Sequence, residues 1–121
     1  LAWGVLCFFL MIRRPPRSTL FTYTTLFRSF TQRAWHAGES EYEGRSNCND
    51  YSIGIELEGC DNEDFAHEQY ETLVNLTEAI IRFWPKISKQ RITGHCHIAP
   101  DRKTDPGPMF NWDEYYSSLK F

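Results

Sequence analysis

The sequence predicts an α/β (α+β) domain, and three observations carry that prediction. Tyr51 to Gly59 alternates apolar and polar residues with period two. Glu68 to Trp84 repeats its apolar residues at helical spacing. A short strand-like stretch, Arg91 to His95, then opens onto a Pro- and Gly-rich loop crowded with functional groups. A chain of 121 residues has room for one small domain around one core. Its 41% hydrophobic and 24% charged residues argue for a globular chain over a disordered one. A net charge of −3 gives no electrostatic reason to expect a nucleic-acid partner.

The N-terminal segment differs in character from the rest. Residues 1–30 contain Arg13, Arg14, Arg17 and Arg28 and no acidic residue. Residues 31–121 hold the other nine basic residues and all sixteen acidic ones, so the two segments carry +4 and −7. Leu1 to Ile12 is apolar but too short for the roughly 20 residues of a membrane span. Its charges follow the apolar run and Pro15 and Pro16 come next, a poor fit to a secretory signal. Phe21 to Phe27 is Thr- and aromatic-rich and suits a strand. The run Phe8 to Leu20, continued by Tyr23 to Ser29, resembles the conceptual translation of sequencing-adapter DNA. That resemblance implies a spurious or disordered segment over 1–29 and a domain over 30–121. A membrane-surface anchor and an N-terminal strand pair are the alternatives. The chain opens on Leu1, so its true beginning is expected to be missing.

In the strand at 51–59, Tyr51, Ile53, Ile55 and Leu57 form the apolar face. Glu56 and Glu58 lie on the other face, about 7 Å apart at roughly 3.3 Å per residue. Exposed strand faces often carry Glu, so solvated and catalytic roles both stay open. The helix stripe is Tyr70, Leu73, Val74, Thr77, Ile80, Ile81 and Trp84, stopped by Pro85, with Asp64 as the candidate cap. Asn111, with Glu114 three residues on, predicts a second short helix in which Tyr115 and Leu119 share a face.

Cys96 to Pro108 is expected to be a loop, stiffened by Pro100, Pro106 and Pro108. His95 and Asp105 are nitrogen and oxygen donors that suit zinc, which takes three protein ligands in catalytic sites. Structural roles for the pair stay open on spacing alone. His97 is expected in the loop and His67 at the helix start. Cys48, Cys60 and Cys96 show no Cys-x-x-Cys spacing and are expected to be reduced structural thiols.

Four motifs then stand in one order: Arg33-Ala34-Trp35-His36-Ala37-Gly38, Cys48 to Gly59, Thr93-Gly94-His95-Cys96, and Ile98 to Pro108. Over essentially all of residues 31–121 the chain resembles the zinc-dependent N-acetylmuramoyl-L-alanine amidases, nearest to the cytoplasmic members that act in peptidoglycan recycling. The resemblance implies a mixed β-sheet flanked by helices, of the amidase and peptidoglycan-recognition type and truncated at its N-terminus. It implies Zn2+ as cofactor, with His95 and Asp105 as two of its ligands. Glu56 matches the catalytic acid/base and Lys103 the residue supporting the oxyanion. Trp35, His36, Leu57 and Ala99 match positions bordering the substrate. The implied partner is a muropeptide, with no nucleic acid and no membrane. The implied reaction is hydrolysis of the amide between N-acetylmuramic, or anhydromuramic, acid and L-alanine.

Two departures qualify this. The family's first zinc ligand is an upstream histidine, and no histidine precedes His36. The resemblance therefore implies only the C-terminal part of the domain, inactive as it stands unless His36 moves in as a ligand. Asn47 stands where the recycling enzymes carry a substrate-holding Arg. A non-catalytic muropeptide-binding module and a lytic cell-wall amidase are the rival functions.

Overall fold

The computed structural model of the protein describes Val5–Met11 as a strand backbone and residues 32–121 in full. In chain order the elements are β1 (Val5–Met11), β2 (Glu41–Tyr42), β3 (Arg45–Ser46), β4 (Ser52–Glu58), α1 (His67–Phe83), β5 (Ile92–Gly94), α2 (His95–Ile98) and α3 (Trp112–Ser118). The α/β class follows from these elements. The main sheet has the order β4-β1-β5 and both pairings are parallel. The antiparallel pairing lies in a separate ribbon of β2 and β3.

β1 sits between the other two strands. Leu6 is in register with Ile53 on one side and Ile92 on the other; Phe8 faces Ile55 and Gly94. Part of the segment set apart by its charge is thus paired into the sheet. The strand read at 21–27 and the boundary at residues 29–30 lie outside the described residues.

Parallel strands need a connection that runs back along the sheet. α1 provides it: 17 residues, about 25 Å long at ~1.5 Å per residue. Its stripe Tyr70, Leu73, Thr77 and Ile80 is buried, and its Tyr70, Leu73 and Ile80 share one core with Ile53 and Ile55 of β4 and Ile92 of β5. The helix ends at Phe83, with Pro85 just beyond. Its start differs from the sequence expectation. Ala66, not Asp64, occupies the cap position. Gln69 caps from inside the helix, accepting from the Ala66 N–H at 2.9 Å and donating to the Glu58 carbonyl at 2.8 Å. One side chain therefore ties the end of β4 to the start of α1.

α3 begins as read. Asn111 Oδ1 accepts from the Glu114 N–H at 3.1 Å, and the Asn111 N–H donates to the Tyr70 hydroxyl at 2.8 Å. The buried Tyr115 hydroxyl meets Thr77 Oγ1 at 2.8 Å and locks α3 to α1. At the far end Lys89 donates to the Leu119 carbonyl at 2.8 Å, a cation at the negative pole of the helix. Tyr116 donates to the Ile92 carbonyl at 2.7 Å and so holds β5.

The loop expected at 96–108 is partly helical. His95–Ile98 forms one turn, α2, because His97 Nδ1 accepts from the Gly94 N–H at 3.2 Å and meets Thr93 Oγ1 at 3.0 Å. His97 is therefore a helix-start residue and not a free loop side chain. A smaller core of Ala37, Cys48, Tyr51 and Ile98 seats the 33–38 stretch against α2. Among the described residues no helix is long and apolar enough to cross a membrane.

Leu73 is 1% exposed at the α1–sheet contact. Leu73→Ala is expected to lower stability in urea unfolding by about 2–5 kcal/mol, through lost burial and the cavity left behind. Leu76→Ala, on the exposed side of the same helix, is expected to change it by no more than about 0.5 kcal/mol.

Candidate active site

In parallel sheets, ligands gather at the carboxyl ends of the strands. β5 ends at Gly94, and the next residue, His95, is buried. Asp105, also buried, returns from the loop to meet it: His95 Nδ1 lies 3.0 Å from Asp105 Oδ2. The Cys96 N–H donates to the Asp105 carbonyl at 2.9 Å, so the two residues are joined through backbone as well as side chains.

The opposite edge of the imidazole meets two groups. His95 Nε2 lies 3.1 Å from the Ala37 carbonyl, which only accepts, and 3.4 Å from Arg102 Nη2, which only donates, so these neighbours suit either tautomer. Nδ1 faces a carboxylate oxygen. A bare nitrogen lone pair and a bare carboxylate repel, so a proton or a metal cation belongs between them. Arg102 holds the same carbonyl from another side, donating to Ala37 O at 2.7 Å and Glu39 O at 2.9 Å. Gly38 makes that approach possible: a Cβ there would lie 2.8 Å from the guanidinium. Arg102 thereby binds the 37–39 stretch to the loop that carries Lys103 and Asp105.

His36 lies on that stretch, half-buried. Ser52 donates its hydroxyl proton to the Cys48 carbonyl at 2.6 Å, so it accepts from His36 Nε2–H, also at 2.6 Å. Burial first, then the nearby charges of His95 and Arg33, pull the His36 pKa down to about 4. His36 is thus neutral at pH 7 and its Nδ1 carries a lone pair. Trp35 beside it is 76% exposed, and the Arg33 guanidinium lies 3.8 Å from its ring centroid. Arg33 Nε also donates to Asp50 at 2.5 Å, which holds the cation over the ring.

Glu56 stands on the polar face of β4. The residue is exposed, yet crowding around its carboxyl, and then the charge of Asp105, push its pKa above the ordinary carboxylate value. Leu57 lies on the other face of the strand, packed against the core and away from Glu56. Ala99 is buried, and its carbonyl accepts from the N–H groups of Arg102 and Lys103 at 3.0 and 2.9 Å. That turn presents Lys103 two residues ahead of Asp105. Asn47 has φ 59°, a left-handed conformation that suits Asn, and its N–H donates to the Ser40 carbonyl at 3.0 Å.

The structure brings His95 and Asp105 together, with His36 and Glu56 within electrostatic reach of the pair. Leu57 is not part of that grouping. Among the described residues no group of three or more His, Cys, Asp or Glu is arranged to hold a metal ion. Cys48, Cys60 and Cys96 are free thiols. Arg102 and Ser52 escaped the sequence reading; their place inside quoted motifs was the available signal, and spacing gave no hint of their partners.

The family described as N-acetylmuramoyl-L-alanine amidase matches residues 18–108. The 1,6-anhydro-N-acetylmuramyl-L-alanine amidase AmpD of Haemophilus influenzae is 52% identical over 96 residues, covering 79% of this chain and 52% of that protein. A crystal structure of an AmpD selenomethionine derivative superposes with a TM-score of 0.70 at 52% identity, covering 73% of this chain and 49% of that one. The Escherichia coli amidase AmiD, in complex with the substrate anhydro-N-acetylmuramic acid-L-Ala-D-γ-Glu-L-Lys, superposes with a TM-score of 0.71 at 35% identity, covering 76% and 39%. The chain spans about half the length of the AmpD relative. The family match spans the stretch that builds the His95–Asp105 pair, and the chain belongs to the N-acetylmuramoyl-L-alanine amidase family.

Proposed function

We propose that this site serves hydrolysis of the amide between N-acetylmuramic, or anhydromuramic, acid and L-alanine in peptidoglycan fragments, as part of cytoplasmic cell-wall recycling. The observation that carries the reading is the buried His95 Nδ1 facing Asp105 Oδ2 at 3.0 Å, an arrangement that takes a proton or a metal cation between the two atoms. Its donor set, one imidazole and one carboxylate, suits zinc. His95 and Asp105 would hold the ion, which when bound lowers the pKa of water and polarises a carbonyl.

The remaining chemistry belongs to the chain. Glu56 takes the proton of the attacking water and returns it to the leaving amine of L-alanine. Its raised pKa brings it nearer the operating pH and eases both transfers. Lys103 offers positive charge to the oxyanion that develops on the attacked carbonyl. Trp35, His36 and Ala99 border the muropeptide, and neutral His36 donates through Nε2 to Ser52 without adding charge. A catalytic zinc takes three protein ligands, and with two of them supplied by His95 and Asp105 the ion is expected to bind weakly.

The deciding experiment titrates the chain with Zn2+ and an anhydromuramyl tripeptide while following release of the free peptide. Zn2+ affinity is expected to fall more than about tenfold in His95→Ala and in Asp105→Ala. Zinc binding indifferent to both substitutions would remove the reading. Muropeptide binding without release at saturating Zn2+ would make this a binding module instead.

Glu56→Gln separates catalysis from folding. Release of peptide is expected to fall at least about 100-fold, with Zn2+ affinity retained. A carboxyl whose folded pKa is raised loses stability as pH climbs from its unfolded to its folded value. Removing the charge is therefore expected to leave stability at pH 7 unchanged or slightly higher, by no more than about 0.5 kcal/mol for so exposed a group. Urea unfolding at pH 4 and pH 7 checks the sign.

A further inference from the structure

The loop that presents Lys103 and Asp105 is held from outside the site by a residue that no motif spacing singles out. Asp61 lies in the turn between β4 and α1. The hydroxyl of Thr104, the residue between Lys103 and Asp105, donates to Asp61 Oδ2 in a close contact. The Gly107 N–H closes the same loop onto the Thr104 carbonyl at 3.0 Å. Gly107 has φ +81°, and a Cβ there would lie 2.6 Å from the Asp61 carbonyl oxygen. The loop therefore rests directly on the Asp61 backbone while its middle residue is bonded to the Asp61 side chain. The other carboxylate oxygen, Asp61 Oδ1, is buried and takes no hydrogen bond among the described residues. Burying a carboxylate oxygen without a partner costs stability.

We propose that Asp61 is a positioning residue of the amidase site, acting through Thr104 to fix the loop on which Lys103 and Asp105 stand. The proposal rests on the amidase reading for its purpose and on the Asp61–Thr104–Gly107 geometry for its existence. Asp61 touches no reacting atom. It sets where Asp105 Oδ2 meets His95 Nδ1 and where Lys103 is presented.

The test uses Thr104→Val, which keeps the side-chain shape and removes the donor, Thr104→Ser, which restores it, and Asp61→Ala. Amide hydrogen exchange at Cys96 and Gly107, whose N–H groups bond to Asp105 and Thr104, reports the loop; exchange within α1 reports the fold. Thr104→Val and Asp61→Ala are expected to speed exchange at Cys96 and Gly107 about three- to tenfold with α1 unchanged. Zn2+ affinity is expected to fall about tenfold in both, and Thr104→Ser is expected to match the parent chain in both readouts. Unchanged loop exchange in Thr104→Val, or Thr104→Ser behaving like Thr104→Val, would overturn the proposal. Should Asp61→Ala unfold, the Thr104 pair decides alone. If the parent chain bound no Zn2+, the amidase reading would fail, while the exchange experiment would still decide whether the latch exists.

Discussion

A buried imidazole nitrogen and a buried carboxylate oxygen 3.0 Å apart set the terms for the rest of this molecule. The pair is tolerable only with a proton or a cation between its members, and only if neither can turn away. His95 is held by the contact of its Nε2 with the Ala37 carbonyl and by the start of α2. Asp105 is prevented by the bond from the Cys96 N–H to its own carbonyl. Arg102 then fastens Ala37, so the acceptor that orients the imidazole is itself held. The groups behind a site's side chains decide how well those side chains are aimed.

The sheet explains why these groups can meet. β4 and β5 both run parallel to β1, so the residues leaving them emerge at the same end. His95 follows β5 directly, and Glu56 lies near the end of β4. α1 closes the opposite requirement by carrying the chain back and burying Leu73 and Ile80 against the sheet. α3 adds a second layer of restraint through Thr77–Tyr115 and through Tyr116, which grips the Ile92 carbonyl within β5. The strand that delivers His95 is thereby anchored from both sides.

The electrostatics of the site divide its groups by role. His36, close to His95 and Arg33, is kept neutral and serves as a hydrogen-bond donor. Glu56, close to Asp105, is pushed toward the protonated form. Each shift has burial as its larger cause and a like-charged neighbour as the next.

Local spacing was enough for the parts of this protein whose partners are local. The alternation of Tyr51, Ile53 and Ile55 against Ser52, Gly54 and Glu56 gave β4 its buried and open faces. The stripe from Tyr70 to Ile80 gave α1 its buried side, and Asn111 with Glu114 marked the start of α3. The family resemblance carried by the motifs, not spacing, pointed to His95, Asp105, Glu56 and Lys103. Spacing failed at the start of α1, where a side chain three residues inside does the capping, and at α2, where His97 bonds back to Gly94. The tertiary structure alone decided what depends on distant partners. Its contributions are the insertion of β1 between β4 and β5, the contact of His95 with a carbonyl 58 residues away, the Arg102 grip across 65 residues, and the Asp61–Thr104 bond across 43. A period in the sequence records which face a residue presents, but which distant group meets that face is set only when the chain closes on itself.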